Sequence, residues 1–144
     1  MLKRILTPAI LSLSLLATPA QAEGFKCPKA MALAIQAGFK KNDLPKLDHI
    51  IYRESRCAPG ATNLNRRSDG TVWSTDYGLT QINGYSWVTY LRNKRIVSKS
   101  SELLEPLTNL RAAKALYDYS KKEGLDPWFQ WRTGNPNGSA GTAK

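Results

Sequence analysis

Residues 43–77 read DLPKLDHIIYRESRCAPGATNLNRRSDGTVWSTDY, and this stretch decides the fold class because its periodicity changes from helical to extended partway along. Leu47, Ile50, Ile51 and Glu54 fall at i, i+3, i+4 and i+7, so all four project from one face of a helix that Asn42-Asp43 can cap. A carboxyl group thus continues an apolar stripe. Beyond Cys57 come Pro59, Gly60, Asn63 and Asn65, then Ser68-Asp69-Gly70, then the β-prone run from Thr71 to Thr75. Asp-Gly between two extended segments predicts a hairpin.

Working outward, Pro28, Met31, Ala34, Ile35 and Gly38 give a short first helix that opens on a proline and stops at a glycine. From Leu103 to Tyr119 the apolar residues Leu107, Leu110, Ala113, Leu116 and Tyr117 recur at helical spacing, with Lys121 and Lys122 near the end and Gly124 as a stop. Asp126-Pro127 starts a further short helix that presents Trp128 and Trp131 on one side. The fold class expected is α+β, mostly helical, with a small β-hairpin subdomain.

At the N-terminus, Lys3 and Arg4 precede an apolar run from Ala9 to Ala17 and then Ala20-Gln21-Ala22, the three-part layout of a secretory signal. Residues 1–22 are therefore expected to be a signal peptide, residues 23–133 the folded domain, and residues 134–144, rich in Gly, Ser, Asn and Ala, a flexible tail. The apolar run is shorter than the ~20 residues needed to cross a bilayer, so no stable membrane insertion is expected. Export to an oxidising space makes Cys27 and Cys57 disulfide partners, a crosslink worth on the order of 3 kcal/mol; the alternative is two free buried thiols.

The 144 residues carry 21 Lys plus Arg against 11 Asp plus Glu, a formal net charge of +10 that suits an anionic partner. A single His argues against a multi-histidine zinc site, and no metal or organic cofactor is expected. No GxxxxGK[ST] or GxGxxG run offers a seat for a phosphate cofactor. The basic residues are dispersed along the chain, so nucleic acid is not the expected partner.

Two carboxyl groups in unlike settings stand out. Packing the stripe on the Glu54 face desolvates that carboxyl, and the negative end of the helix dipole acts in the same direction, so its pKa rises and it can serve as a general acid. The alternative is that Glu54 turns to solvent and pairs with Arg53, Arg56 or Lys46. Asp76 follows the hairpin among Ser74, Thr75 and Tyr77, where polar neighbours and solvent are expected to keep it ionised; otherwise it is a turn residue. An acid and an anion together are the arrangement for glycosidic bond cleavage. Aromatic residues, Tyr77 and Trp87 among them, are candidate platforms for sugar rings, with core packing as the other reading.

Glu54-Ser55, Ala61-Thr62-Asn63, Asp69-Gly70, Ser74-Thr75-Asp76-Tyr77-Gly78-Leu79 and Gln81-Ile82-Asn83 resemble the active-site segment of c-type lysozymes. Asn109, Ala112-Ala113-Lys114, Gly124 and Trp128-x-x-Trp131-Arg132 resemble that family's later helices in the same order. Glu-Ser followed by Gly-Leu-x-Gln-Ile-Asn is also similar to bacterial lytic transglycosylase domains, which share the lysozyme-like fold. The resemblance implies Glu54 as general acid, Asp76 as second carboxylate, Gln81 and Asn83 as cleft residues, and Trp128 as the indole beside the acid. It implies a secreted or periplasmic monomer that cleaves the β-1,4 bond of peptidoglycan glycan strands, by hydrolysis or by transglycosylation to a 1,6-anhydro product.

Overall fold

The computed structural model describes residues 24–132; the expected signal peptide and the tail lie outside them. In chain order the elements are α1 (Pro28–Gln36), α2 (Leu44–Ser55), β1 (Thr62–Arg66), β2 (Val72–Tyr77), β3 (Ile82–Asn83), α3 (Gly84–Asn93) and α4 (Pro106–Lys122). Single 3-10 turns cover Lys41–Asp43, Ser100–Leu104 and Phe129–Trp131. No described helix is long and apolar enough to cross a membrane.

The stripe on α2 becomes core: Leu47, Ile50 and Ile51 are buried together with Met31 and Ala34 of α1 and Leu110, Ala113 and Leu116 of α4. Arg56 adopts a left-handed conformation (φ 53°) directly after α2 and ends the helix one residue past Ser55. Cys27 and Cys57 are bonded, with Cα atoms 5.4 Å apart, and join the start of α1 to the residue after that stop. Over a 30-residue separation such a link contributes about 3–4 kcal/mol by restricting the unfolded chain. The buried Asp48 carboxylate adds a second anchor, accepting from the backbone N–H groups of Cys27 (2.7 Å) and Lys26 (3.0 Å).

The predicted hairpin is present as β1 and β2, paired antiparallel, with Gly70 at φ +84° in the turn and the Asp69 carboxylate accepting from the backbone and hydroxyl of Thr71. A third strand, β3, pairs with β2 on its other edge, so β2 is central. Several local expectations are corrected. Residues 84–93, which carry Tyr85, Trp87 and Tyr90 and for which no element was expected, form helix α3, started by the Asn83 side chain accepting from Ser86 N–H (2.9 Å). The helix expected from Leu103 begins at Pro106, because the Glu105 carboxylate takes the Leu107 and Thr108 N–H groups and proline fits the first turn. Asp43 does not cap α2. Its own backbone is helical, and its carboxylate accepts from Lys40 N–H and the Tyr117 hydroxyl instead. After Asp126-Pro127 there is only one 3-10 turn; Asp126 accepts from Trp128 N–H as a cap would, and Arg132 has already returned to extended backbone.

One buried side chain ties the sheet to the helices. Asn109 on α4 donates to the carbonyls of Tyr77 (2.9 Å) and Leu103 (2.8 Å), and its Oδ1 accepts from the backbone and hydroxyl of Thr80 (3.0 and 2.7 Å). Gly78 lets the chain pass beneath it: φ is +75°, and a Cβ there would lie 2.3 Å from Leu103 O and 2.4 Å from Asn109 Nδ2. Asn109→Ala would strand several buried polar groups at once, each worth roughly 1–3 kcal/mol unpaired. Urea unfolding of this variant is expected to show a loss of about 3 kcal/mol or more, and a loss below about 1 kcal/mol would mean the clasp contributes little.

Candidate active site

Glu54 ends the buried stripe of α2, and its side chain is only 10% exposed. The two sequence readings of this residue turn out to hold together: it is drawn out of water, and it is paired. Arg53, 39% exposed, folds back so that Nε and Nη2 donate to Glu54 Oε1 at 2.8 and 2.6 Å. The same Nη2 donates to the carbonyl of Trp131 at 2.6 Å, so the guanidinium links the end of α2 to the last turn of the domain. Burial pushes the Glu54 pKa above the ordinary value of 4.5; the hydrogen bond and charge of Arg53 oppose this, and the negative charge of Asp76 adds to it.

Asp76 sits on β2 at 1% exposure. Register places Asn63 of β1 and Asn83 of β3 directly across from it on either side, and strand alternation puts Asn65 and Ser74 on the same face. Asn83 Nδ2 donates to Asp76 Oδ1 (2.7 Å) and to Ser74 Oγ (2.9 Å), while Asn65 Nδ2 also donates to Ser74 Oγ (3.0 Å). The expectation was that polar neighbours and solvent together keep Asp76 ionised, and the part resting on solvent is corrected here, because the side chain is buried. Burial raises its pKa above 3.8, and hydrogen bonds from Asn65, Asn83 and Asn63, rather than water, are what favour the anion.

The other candidates divide. Asn83 belongs to the site, with its amide committed to Asp76 and Ser74 and its oxygen to α3. Gln81 is buried, in the left-handed region (φ 50°), and donates to the carbonyls of Ala61 (3.1 Å) and Gly78 (2.8 Å), so it closes the β2–β3 connection. Tyr77 points to the opposite face of β2 from Asp76 and packs beside Gly84 on the core. Trp87 meets Tyr90 and Tyr119 edge-to-face at 6.0 and 5.5 Å. Trp128 stacks on Phe39 (5.9 Å, 6° between planes) and meets Tyr117 edge-on at 4.8 Å. The indole joined to the sheet is Trp131, which is fully buried and donates from Nε1 to Thr80 O (2.9 Å), next to Gln81.

Sequence reasoning named Arg53 only as a rival partner for Glu54, and it assigned no role to Asn65, Asn109 or Trp131 at the site. Asn63 and Asn65 carried a usable signal in their spacing of two, which puts both amides on one face of a strand.

Comparison with known proteins shows the family. The lysozyme-like domain family matches residues 31–133. The chain belongs to the lysozyme-like family. It is 33% identical to Lysozyme C of Leptonychotes weddellii over 132 residues, covering 87% of this chain and 86% of that one. Against Lysozyme c-1 of Anopheles gambiae it is 29% identical over 133 residues, covering 90% and 89%. The fold is also that of a lysozyme crystal structure from Litopenaeus vannamei, with a TM-score of 0.56, 22% identity, and coverage of 78% of this chain and 83% of that one. This member of the lysozyme-like family is a glycosidase.

A raised carboxyl pKa has a definite sign in stability. The folded protein holds the Glu54 proton more tightly than the unfolded chain does, so this group's contribution is fully present below the unfolded pKa and is lost as pH rises through the folded one. Glu54→Gln keeps an acceptor for Arg53 and removes the titration. Its thermal midpoint relative to the natural protein is expected to rise as pH is raised above the ordinary value of 4.5 and to level off once the folded protein has lost the proton, and a difference independent of pH would contradict the raised pKa.

Proposed function

We propose that this glycosidase is a muramidase that hydrolyses the β-1,4 bond between N-acetylmuramic acid and N-acetylglucosamine in peptidoglycan. The observation that carries the reading is the pair of desolvated carboxyls on two different elements, Glu54 on α2 and Asp76 on β2, close enough for the charge of one to raise the pKa of the other. Glu54, whose proton burial holds more tightly than in an ordinary carboxyl, protonates the bridging oxygen. Asp76, its anion held by asparagine amides, attacks or stabilises the oxocarbenium-like carbon. Water then enters with Glu54 acting as base. Lysozyme is a known case of two carboxyls whose environments separate their roles.

Arg53 holds the Glu54 carboxyl in place while leaving burial the dominant influence on its proton. Gln81 and Asn83 act as positioning residues for the strand that carries Asp76, and Trp131 holds the cleft wall to the last turn through Thr80. Tyr77, Trp87 and Trp128 remain candidates for glycan contact through their exposed edges. The steps need no metal or organic cofactor. The domain at residues 23–133 is proposed to act as a monomer outside the cytoplasm, secreted or periplasmic, after removal of residues 1–22; the bonded Cys27–Cys57 pair supports an oxidising compartment.

Digestion of purified peptidoglycan tests this directly. The natural chain is expected to release fragments with reducing muramic ends, and Glu54→Gln to lower the rate by about 10²–10⁴-fold. Asp76→Asn is expected to lower turnover while the protein still binds cell wall. Mass spectrometry showing only 1,6-anhydromuramic ends would replace hydrolysis by attack of the sugar's own 6-hydroxyl. Undiminished cleavage by Glu54→Gln would remove Glu54 from the mechanism.

A further inference from the structure

Beside the acid, on the side of Arg53, lies a cavity of about 490 Å³ lined by Lys46, Ile50, Arg53, Asp126, Trp128, Trp131 and Arg132. We propose that it is a subsite for carboxylates of the peptides attached to the glycan, a claim that rests on the peptidoglycan reading above. Three cations face one acid there, and Asp126 is already engaged in accepting Trp128 N–H. Among the described residues neither Lys46 nor Arg132 has a carboxylate within ion-pair distance, and Arg132 lies over the Phe129 ring (5.9 Å), a contact that leaves its charge unneutralised. Arg53 spends three of the five N–H groups of a guanidinium on Glu54 and Trp131, which leaves the two on Nη1 without an acceptor among the described residues.

The chemistry of the lining selects the occupant. Arg and Lys together bind carboxylates, and Arg53 already does so with Glu54 in this structure. Trp128, half-buried, supplies an apolar face that suits the aliphatic part of a short peptide, with the buried Ile50 and Trp131 behind it. The volume lies within the roughly 300–1,000 Å³ typical of small-ligand sites. Because Arg53 belongs to both places, a peptide seated in the cavity is placed next to the bond that Glu54 protonates. The cavity thereby distinguishes strands bearing acidic peptides from bare glycan.

The test uses the full chain and a free acidic stem peptide, with binding followed by tryptophan fluorescence, so that no bond cleavage is required. The comparison ligand is the same peptide with its carboxylates amidated, and the comparison protein is Lys46→Ala/Arg132→Ala, with its thermal midpoint recorded to establish folding. The natural chain is expected to bind the acidic peptide about fivefold or more tighter than the amidated one, a preference that the double variant loses and that falls with added salt. Equal binding of the two peptides, equal binding by the two proteins, or no binding would overturn the subsite. A parallel arm compares the KM of the natural chain for peptide-bearing strands and for amidase-stripped strands, which keep only the lactyl carboxylate. A lower KM for peptide-bearing strands is expected, and a lower KM for stripped strands would assign the cations to the lactyl group and overturn the proposal. Binding with the expected preference but no cleavage of either strand would leave the subsite standing and remove the muramidase reading, whereas cleavage without that preference would do the reverse.

Discussion

A carboxyl group is held out of water at the last turn of α2, with a guanidinium on one side and a second carboxyl near enough to be felt on the other. Each neighbour moves the proton differently. Arg53 favours the anion and Asp76 disfavours it, and burial decides the direction. Were the arginine alone in control, Glu54 would be an ordinary ion pair with no proton to give. The remaining structure can be understood as what keeps that balance in place: a buried stripe that fixes α2, and a sheet that brings Asp76 up to it.

The sheet is small and could not stand alone, so it borrows rigidity from the helices. Asn109 on α4 takes hold of the turn at residues 77–80 from inside, Trp131 grips Thr80 through its indole, and Arg53 grips the carbonyl of Trp131. These links form a continuous path from α2 through the last turn and the turn at residues 77–80 to α4, with Glu54 bonded to Arg53 at one end and Asp76 next in the chain to Tyr77 at the other. Gly78 is the one residue whose lack of a side chain permits the closest of these approaches. Positional precision at the site therefore depends on hydrogen bonds from buried polar groups, which cost most when broken.

Much of this was legible in the sequence because it is local. The stripe Leu47, Ile50, Ile51 and Glu54 has helical period, Asp69-Gly70 fixes a hairpin, and two cysteines in a chain expected to be exported have one pairing available. The asparagine cluster was not legible, for a specific reason. The pairing of Arg66 with Val72 nearest the turn would set Asn65 against Trp73 and Asn63 against Thr75, but the register shifts between Asn65 and Arg66, so they face Ser74 and Asp76 instead. A bulge of that kind moves the whole set of partners by one residue, and counting from the turn does not reveal it. Asn109 and Trp131 act on the sheet over separations of 29 and 51 residues, beyond the reach of any periodicity. Helix α3 was hidden because Asn83-Gly84 reads as turn chemistry, although the asparagine serves as its cap.

The most direct measurement is the titration of Glu54 itself, followed by the carbon-13 shift of its side-chain carboxyl in the natural chain and in Asp76→Asn. The account predicts a midpoint above 4.5 in the natural chain and a lower midpoint once the aspartate charge is removed. A midpoint at or below 4.5 that does not respond to the change at position 76 would contradict it.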